Sequence, residues 1–311
     1  MMDLFKKTIW KWFGDNIFER AAGLAYTTLF SMAPTLLVAT GIAGMVFGQE
    51  VAQGKVFREI RNLIGADGAL MVQNILKSAA FGPQDVWATV LGGTVFFVGA
   101  TAVFAQLKGT LNDIWSVRPA PEVNDLVSFF KDRLLSLAMV IGCGFLLLVS
   151  LVVSALLASF GPWIAAYFQM PVLVLNFINT IFSTLVIALF FALILKVLPD
   201  VRLLWRDVWV GALATSVMFG LGKYLVSVYI GSSKITTVYG ASGSLVVILL
   251  WIYYSSLILL MGAVFTQVYT VKRGRHVTPI GKAVFYKTEI IRTEQPPKPK
   301  AVIKVKEKDD Q

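Results

Sequence analysis

The chain has 311 residues, of which 57% are hydrophobic and 15% charged, and its formal net charge is +10. Soluble domains hold roughly 45–50% apolar and about 25% charged residues, so this composition excludes an ordinary water-soluble globule. A single cysteine, Cys143, excludes an internal disulfide framework, and with only one histidine, His276, the set of ligands for a Cys/His zinc site is missing; no cofactor or metal is expected.

Taken in chain order, residues 1–22 read as a cytoplasmic interfacial helix. In "MMDLFKKTIWKWFGDNIFERA", Phe5, Ile9, Trp12 and Phe13 fall on one helical face, with Lys6, Lys7 and Lys11 mostly elsewhere. That pattern suits a helix lying in the headgroup layer. Residues 23–271 read as a transmembrane domain. The first span is about 23–48, "GLAYTTLFSMAPTLLVATGIAGMVFG". It is longer than the h-region of a secretory signal, so it is read as a span rather than a cleaved leader. Pro34 falls midway along it, removes a backbone donor and is expected to bend the helix. The loop 49–86 predicts two short amphipathic helices on the outer face, "VFREIRNLIG" and "ALMVQNILKSAAFG", broken by Gly65, Asp67 and Gly68.

The second span is about 87–107. The third, about 134–160, holds Cys143, read as a small buried residue. The fourth is about 172–195, the fifth about 207–230 and the sixth about 243–270. Each block matches the roughly 20 residues that a helix needs to cross a hydrocarbon core of about 30 Å. No barrel-like alternation appears and open sheets leave backbone groups unsatisfied in lipid, so the spans are helices and the fold class is all-α. "GASGS" at 240–244 is read as a turn. Residues 272–311 read as a basic, largely disordered cytoplasmic tail ending in "TEQPPKPKAVIKVKEKDDQ".

Orientation follows from Lys and Arg. Twenty-two of the 28 lie before the first span, in the second-to-third and fourth-to-fifth loops, or in the tail. Five lie on the other side, and Lys223 is inside a span. Both termini are therefore expected in the cytosol of a multi-pass protein of the bacterial cytoplasmic membrane. The positive charge becomes an orientation signal, and no nucleic-acid partner is expected.

Two groups of residues carry chemistry. Lys223 stands in "FGLGKYLVSVYIG", an otherwise apolar or small run near the outer end of span five. A central lysine costs roughly 2.5–3.5 kcal/mol, less toward the surface. Either its stem snorkels to the outer headgroups, or its ammonium lines a wet cavity and meets an anionic ligand. Lys223, Tyr224, Tyr26 and Pro34 are the candidate substrate or lipid contacts. Ala212, Ser216 and Gly220, every four residues, form a small-residue ridge expected to meet a neighbouring helix. The second group is "LPDVRLLWRDVW", 198–209. Here Asp200, Arg202, Arg206 and Asp207 alternate with Trp205 and Trp209 as a candidate cytoplasmic interface cluster. Asp207 is placed to cap span five, the tryptophans suit the interface, and the plainer reading of the cluster is structural anchoring by local ion pairs. Apart from Asp207 at the very start of span five, no Asp or Glu lies within a span, which argues against a carboxylate-based proton or sodium relay.

Several long segments in order resemble the YihY/BrkB family of bacterial membrane proteins. They include "AAGLAYTTLFSMAPTLL" (21–37), "LNDIWSV" (111–117), "LPDVRLLWRDVWVGAL" (198–213), "LGKYLVSVYIG" (221–231) and "YGASGSLVVILLWIYYSSLILLMGAVFTQVY" (239–269). The resemblance implies six transmembrane helices in the cytoplasmic membrane. It also implies links to serum resistance and to lipid or lipopolysaccharide traffic, and it brings an old ribonuclease label. The family pattern includes the Gly-Lys at Gly222–Lys223. Where the family often has a Glu in the last span, this chain has Val264, in "GAVFTQ".

RNA cleavage needs metal ions held by carboxylates and histidines, or a histidine acid–base pair, and one histidine supplies neither. The ribonuclease reading is therefore the weakest, and no enzyme activity is expected. The first expectation is a transporter-like protein handling a lipid or other anionic envelope amphiphile, with membrane lipids as partners. The alternative is a non-transporting scaffold that recruits envelope proteins.

Overall fold

The computed structural model describes residues 2–47, 86–120, 172–232, 243–281 and 283–286, with isolated positions between 54 and 74 and between 134 and 142. Within these residues the chain is mostly helical. The helices are α1 (Met2–Gly14), α2 (Ile17–Phe47), α3 (Val86–Ile114), α4 (Val172–Val197), α5 (Trp205–Ser232) and α6 (Gly243–Lys272). Four short strands accompany them: β1 (Val117–Pro119), β2 (Val201–Arg202), β3 (Thr278–Pro279) and β4 (Ala283–Phe285). Helices α2 to α6 fall on the first, second, fourth, fifth and sixth predicted spans. The third span and the two outer-loop helices lie outside the described residues, save for those isolated positions. Over Thr180–Val197, Trp205–Val226 and Leu245–Lys272, three of the helices are long and apolar enough to cross a membrane.

Helix α6 is the hub. It packs against α1, α2, α3 and α5, while α2 also packs on α3 and α4 on α5. The α5–α6 contact explains how closely two helices can approach. The same pentapeptide pattern, Gly-Ala-x-x-Thr, occurs as "GALAT" at 211–215 and "GAVFT" at 262–266. Gly211 faces Thr266 and Gly262 faces Thr215, so closely that a Cβ on either glycine would overlap the threonine side chain. Rising numbers in α5 meet falling numbers in α6, so the pair is antiparallel. Each threonine donates its hydroxyl hydrogen bond to its own helix: Thr215 to the Gly211 carbonyl and Thr266 to the Gly262 carbonyl, both at 2.7 Å. The polar atom is satisfied inside its own helix, and dispersion with a bare glycine opposite holds the pair. Further up, Gly222 lies under Tyr254, whose hydroxyl donates to the Met218 carbonyl at 3.1 Å.

The seam therefore runs through Gly211, Thr215 and Gly222, one stripe over from the ridge expected from the sequence. Ala212 and Ser216 are buried, but Gly220 is exposed and nothing stands within reach of a Cβ there. The physical reason is the stripe's angle. Positions 211, 215 and 222 stay on one face at about 100° per residue, whereas 212, 216 and 220 drift away from α6 toward the surface. Beside the seam, an aromatic chain runs Phe191–Phe219–Trp251–Tyr254, with ring centroids 5.7, 5.9 and 6.0 Å apart, and ties α4, α5 and α6 together.

Helix α1 forms where it is predicted, and its residues divide differently from the sequence reading. Thr8 is buried, Leu4 and Trp12 pack on the main core, and the Trp12 indole donates to the Met261 carbonyl at 3.3 Å. Phe5 and Phe13 stay exposed, and Phe13 meets Phe18 at 5.6 Å. Trp12, next to Phe5 on the helix, turns its indole N–H to an acceptor on α6. Asn16, at φ 51°, makes the left-handed turn into α2. Helix α2 continues through Pro34 without a break. Val264 is fully buried in the main core, so an apolar side chain suits its surroundings.

Gly211→Ala is expected to lower stability by about 1–3 kcal/mol, because Thr266 has to leave its rotamer. Gly220→Ala is expected to be neutral or slightly stabilising. Thermal unfolding of the two variants in the same detergent checks the assignment of the seam.

Candidate functional site

Charges meet at the end of the bundle where α2 and α5 begin and α3, α4 and α6 finish, called its inner end after the expected orientation. Segments that leave the helices there are rich in basic residues, and three aspartates bind them together. Asp113, in the last turn of α3, takes Arg20 of α2 at 2.7 Å and Arg118 of β1 at 3.7 Å, and it accepts the Tyr286 hydroxyl at 3.1 Å. Arg118 also lies over the Tyr286 ring, 4.3 Å from its centroid. Burial pushes the Tyr286 phenol above its usual value and the Asp113 carboxylate pushes the same way, against the opposing pull of Arg118. Tyr286 is therefore a hydrogen-bond donor throughout the neutral range.

Asp200, between α4 and β2, pairs with Lys108 of α3 at 3.0 Å. Asn112 donates to the same carboxylate oxygen at 2.8 Å and accepts the Asp200 backbone N–H at 2.8 Å. Asp207, in the first turn of α5, is buried and meets Arg275 at 2.5 Å. Among the described residues no oriented hydrogen bond reaches either Asp207 oxygen, so this is a charge contact. The turn itself starts at Leu204, whose carbonyl accepts the N–H of Asp207 and of Val208. Asp207 therefore acts on α5 through its negative charge near the helix N-terminus rather than as the capping residue.

Two members of this network, Arg275 and Tyr286, belong to residues 273–281 and 283–286, which the sequence reading places in the basic tail. They run back under the bundle as a strap. β3 pairs antiparallel with β2, Thr278 opposite Arg202, and β4 pairs antiparallel with β1, Phe285 opposite Val117. Gly274 and Gly281, at φ 64° and 65°, make the two left-handed turns that this path requires. The strap joins the inner ends of α3, α4 and α5 to the end of α6.

The predicted cluster at 198–209 therefore divides. Its acids, Asp200 and Asp207, turn inward to partners far along the chain, Lys108 and Arg275, so the expected local ion pairs are replaced by long-range ones. Arg202 and Arg206 stay exposed, beside Leu204 (59% exposed) and Trp205 (47%). Arg20, Asp113, Arg275 and Tyr286 were not anticipated from the sequence. The signal available for the charged members was their shared position at the inner ends of spans.

Lys223 lies on the same stripe of α5 as Ala212, Ser216 and Phe219. That stripe is fully buried at Ala212 and Ser216, half-buried at Phe219 and exposed at Lys223. The ammonium therefore sits where this stripe opens, one turn above the Phe191–Phe219–Trp251 contacts. Tyr224 beside it is 71% exposed. Tyr26, also exposed, meets the Phe30 ring in a tilted contact at 4.8 Å on α2. Tyr26 is about 14 Å along α2 from its inner start, whereas Lys223 is about 27 Å along α5. The structure thus places Lys223 and Tyr224 together and Tyr26 at another depth; the Pro34 side chain lies outside the described residues. Among the described residues no cluster of three or more His, Cys, Asp or Glu is placed to hold a metal ion.

Arg275→Gln is expected to cost about 3 kcal/mol, because it leaves the Asp207 charge buried without its partner. Adding Asp207→Asn to it is expected to restore much of that loss. A double-mutant cycle by thermal unfolding reads the coupling directly.

Comparison with known proteins agrees with the membrane character. The family model described as Virulence factor BrkB matches residues 9–284. A UPF0761 membrane protein of Verminephrobacter eiseniae is 28% identical over 257 residues, 81% of this chain and 58% of the relative. One from Azotobacter vinelandii is 28% identical over 270 residues, 84% of this chain and 62% of the relative. One from Xanthomonas campestris is 25% identical over 266 residues, 83% and 59%. The chain thus spans about three-fifths of the length of these relatives, and no solved structure matches it. A match that runs from α1 into β4 takes in every described helix but the first turns of α1, and on it the chain belongs to the Virulence factor BrkB family of membrane proteins.

Proposed function

We propose that the chain crosses the bacterial cytoplasmic membrane six times with both ends in the cytosol. In this reading it is a transporter-like protein that handles a lipid or other anionic amphiphile, without catalysing a covalent reaction. The observation that carries the substrate class is Lys223. A cation at membrane depth is costly unless an anion or water meets it. Among the described residues no acid pairs with this ammonium, which stands exposed beside the α5 seam, among exposed Leu221, Tyr224 and Leu225. A headgroup phosphate or carboxylate at Lys223 with acyl chains along the leucines satisfies both kinds of surface. Tyr224 adds a hydroxyl that can donate to the same headgroup.

Movement of a fluorescent anionic phospholipid between leaflets of vesicles holding the purified protein tests this. Lys223→Gln is expected to slow movement about tenfold or more, and Lys223→Arg to retain most of it. Movement that is absent in the wild type, or untouched by Lys223→Gln, overturns the reading and favours a scaffold. A tag after Gln311 is expected to resist an impermeant reagent in intact cells, and a reactive tag overturns the topology.

A further inference from the structure

We propose that Arg202, Leu204, Trp205 and Arg206 form a docking surface for anionic phospholipid headgroups at the inner end of α5. Residues 196–209 contain three cations, Lys196, Arg202 and Arg206, and two acids, Asp200 and Asp207. Both acids are turned into the protein by Lys108, Asn112 and Arg275. Lys196 is held by the Leu203 carbonyl and lies 5.8 Å from the centre of the Trp205 ring. The acids that the sequence sets beside the arginines therefore do not neutralise them. Arg202 and Arg206 face outward, and among the described residues no acid pairs with either.

The apolar residues between them select the occupant. Leu204 and Trp205 are largely exposed, and a basic surface interleaved with leucine and tryptophan suits the boundary between headgroups and acyl chains better than open water. Arg206 also begins a stripe that continues up α5 through Leu213 and Val217, spaced by seven and four residues and exposed at each. That spacing keeps one face of a helix. A ligand with a phosphate at Arg206 and hydrocarbon along Leu213 and Val217 fits the whole stripe, and a free phosphate or an acidic peptide does not. Exposed arginines near an anionic leaflet are each worth enough to enrich acidic lipid severalfold. This surface is separate from Lys223, about 26 Å up the same helix. It rests on α5 crossing the bilayer but not on Lys223 moving a lipid.

The test uses the full chain with Cys143→Ala and Leu204→Cys, labelled at residue 204 with an environment-sensitive fluorophore. The protein is placed in vesicles containing brominated phosphatidylglycerol or brominated phosphatidylcholine at equal mole fraction. Quenching by the glycerol lipid is expected to exceed quenching by the choline lipid roughly threefold or more. Arg202→Gln with Arg206→Gln is expected to bring the ratio near one, whereas lysine at both positions keeps it and shows that charge, not folding, was removed. Lys223→Gln is expected to leave the ratio unchanged, so failure of the transport reading and failure of this one are told apart. A wild-type ratio near one, a ratio unmoved by the double glutamine change, or no quenching by either lipid overturns the proposal.

Discussion

Everything in the described bundle leans on the contact between α5 and α6. Lipid tails are as apolar as leucine, so two helices in a membrane gain little by hiding oily surface from each other. They gain by close approach, and close approach needs side chains that are not there. Gly211 and Gly262 supply the gaps, and Thr266 and Thr215 fill them from across the interface. Because each threonine satisfies its hydroxyl on its own helix, the interlock buries no unpaired donor. Helix α6 thereby becomes fixed, and α1, α2 and α3 take their places against it.

At the inner end the constraint changes from packing to charge. Asp113, Asp200 and Asp207 each draw in a cation from a segment far away in sequence, and the strap at 273–286 closes the circuit through Arg275 and Tyr286. Buried ion pairs of this kind often add little net stability, because desolvation offsets attraction. Their effect is on specificity, since any arrangement that separates Asp207 from Arg275 leaves a charge buried alone. The strap also lets an element outside the spans hold several of them in register, which apolar contacts between parallel oily rods do poorly.

The distribution of charge then shapes how the surface meets a bilayer. With the inner acids turned inward, the outward face near α5 is left with arginine, leucine and tryptophan. Toward the other end of the same helix, one lysine stands exposed beside the packed seam. The proposed lipid contacts rest on this pattern, a helix cationic near both ends and apolar between them. The structural restraint on α5 from α6 and the chemical character of its free face thus come from different stripes of one helix.

Much of this was legible in the sequence, and the reason is local physics. Apolar blocks long enough to cross a bilayer announce helices α2 to α6 by length alone, and the charge at 198–209 announced a special segment between α4 and α5. Long runs of uniformly apolar residues carry little information about which stripe faces which neighbour. The ridge through Ala212, Ser216 and Gly220 was therefore a plausible seam, and the real one through Gly211, Thr215 and Gly222 was decided by the antiparallel match to Gly262 and Thr266. The repeated Gly-Ala-x-x-Thr was present in the letters, but its meaning depends on two helices 51 residues apart meeting in opposite directions. The same holds for Asp207. Its place at the start of a helix follows from sequence, whereas its partner, Arg275, is set by a turn at Gly274 and a strand paired with β2. Sequence determined what each segment is and where the charges lie along it; tertiary structure alone decided which acid meets which base, because ion pairs and helix seams are made between segments that no local pattern connects.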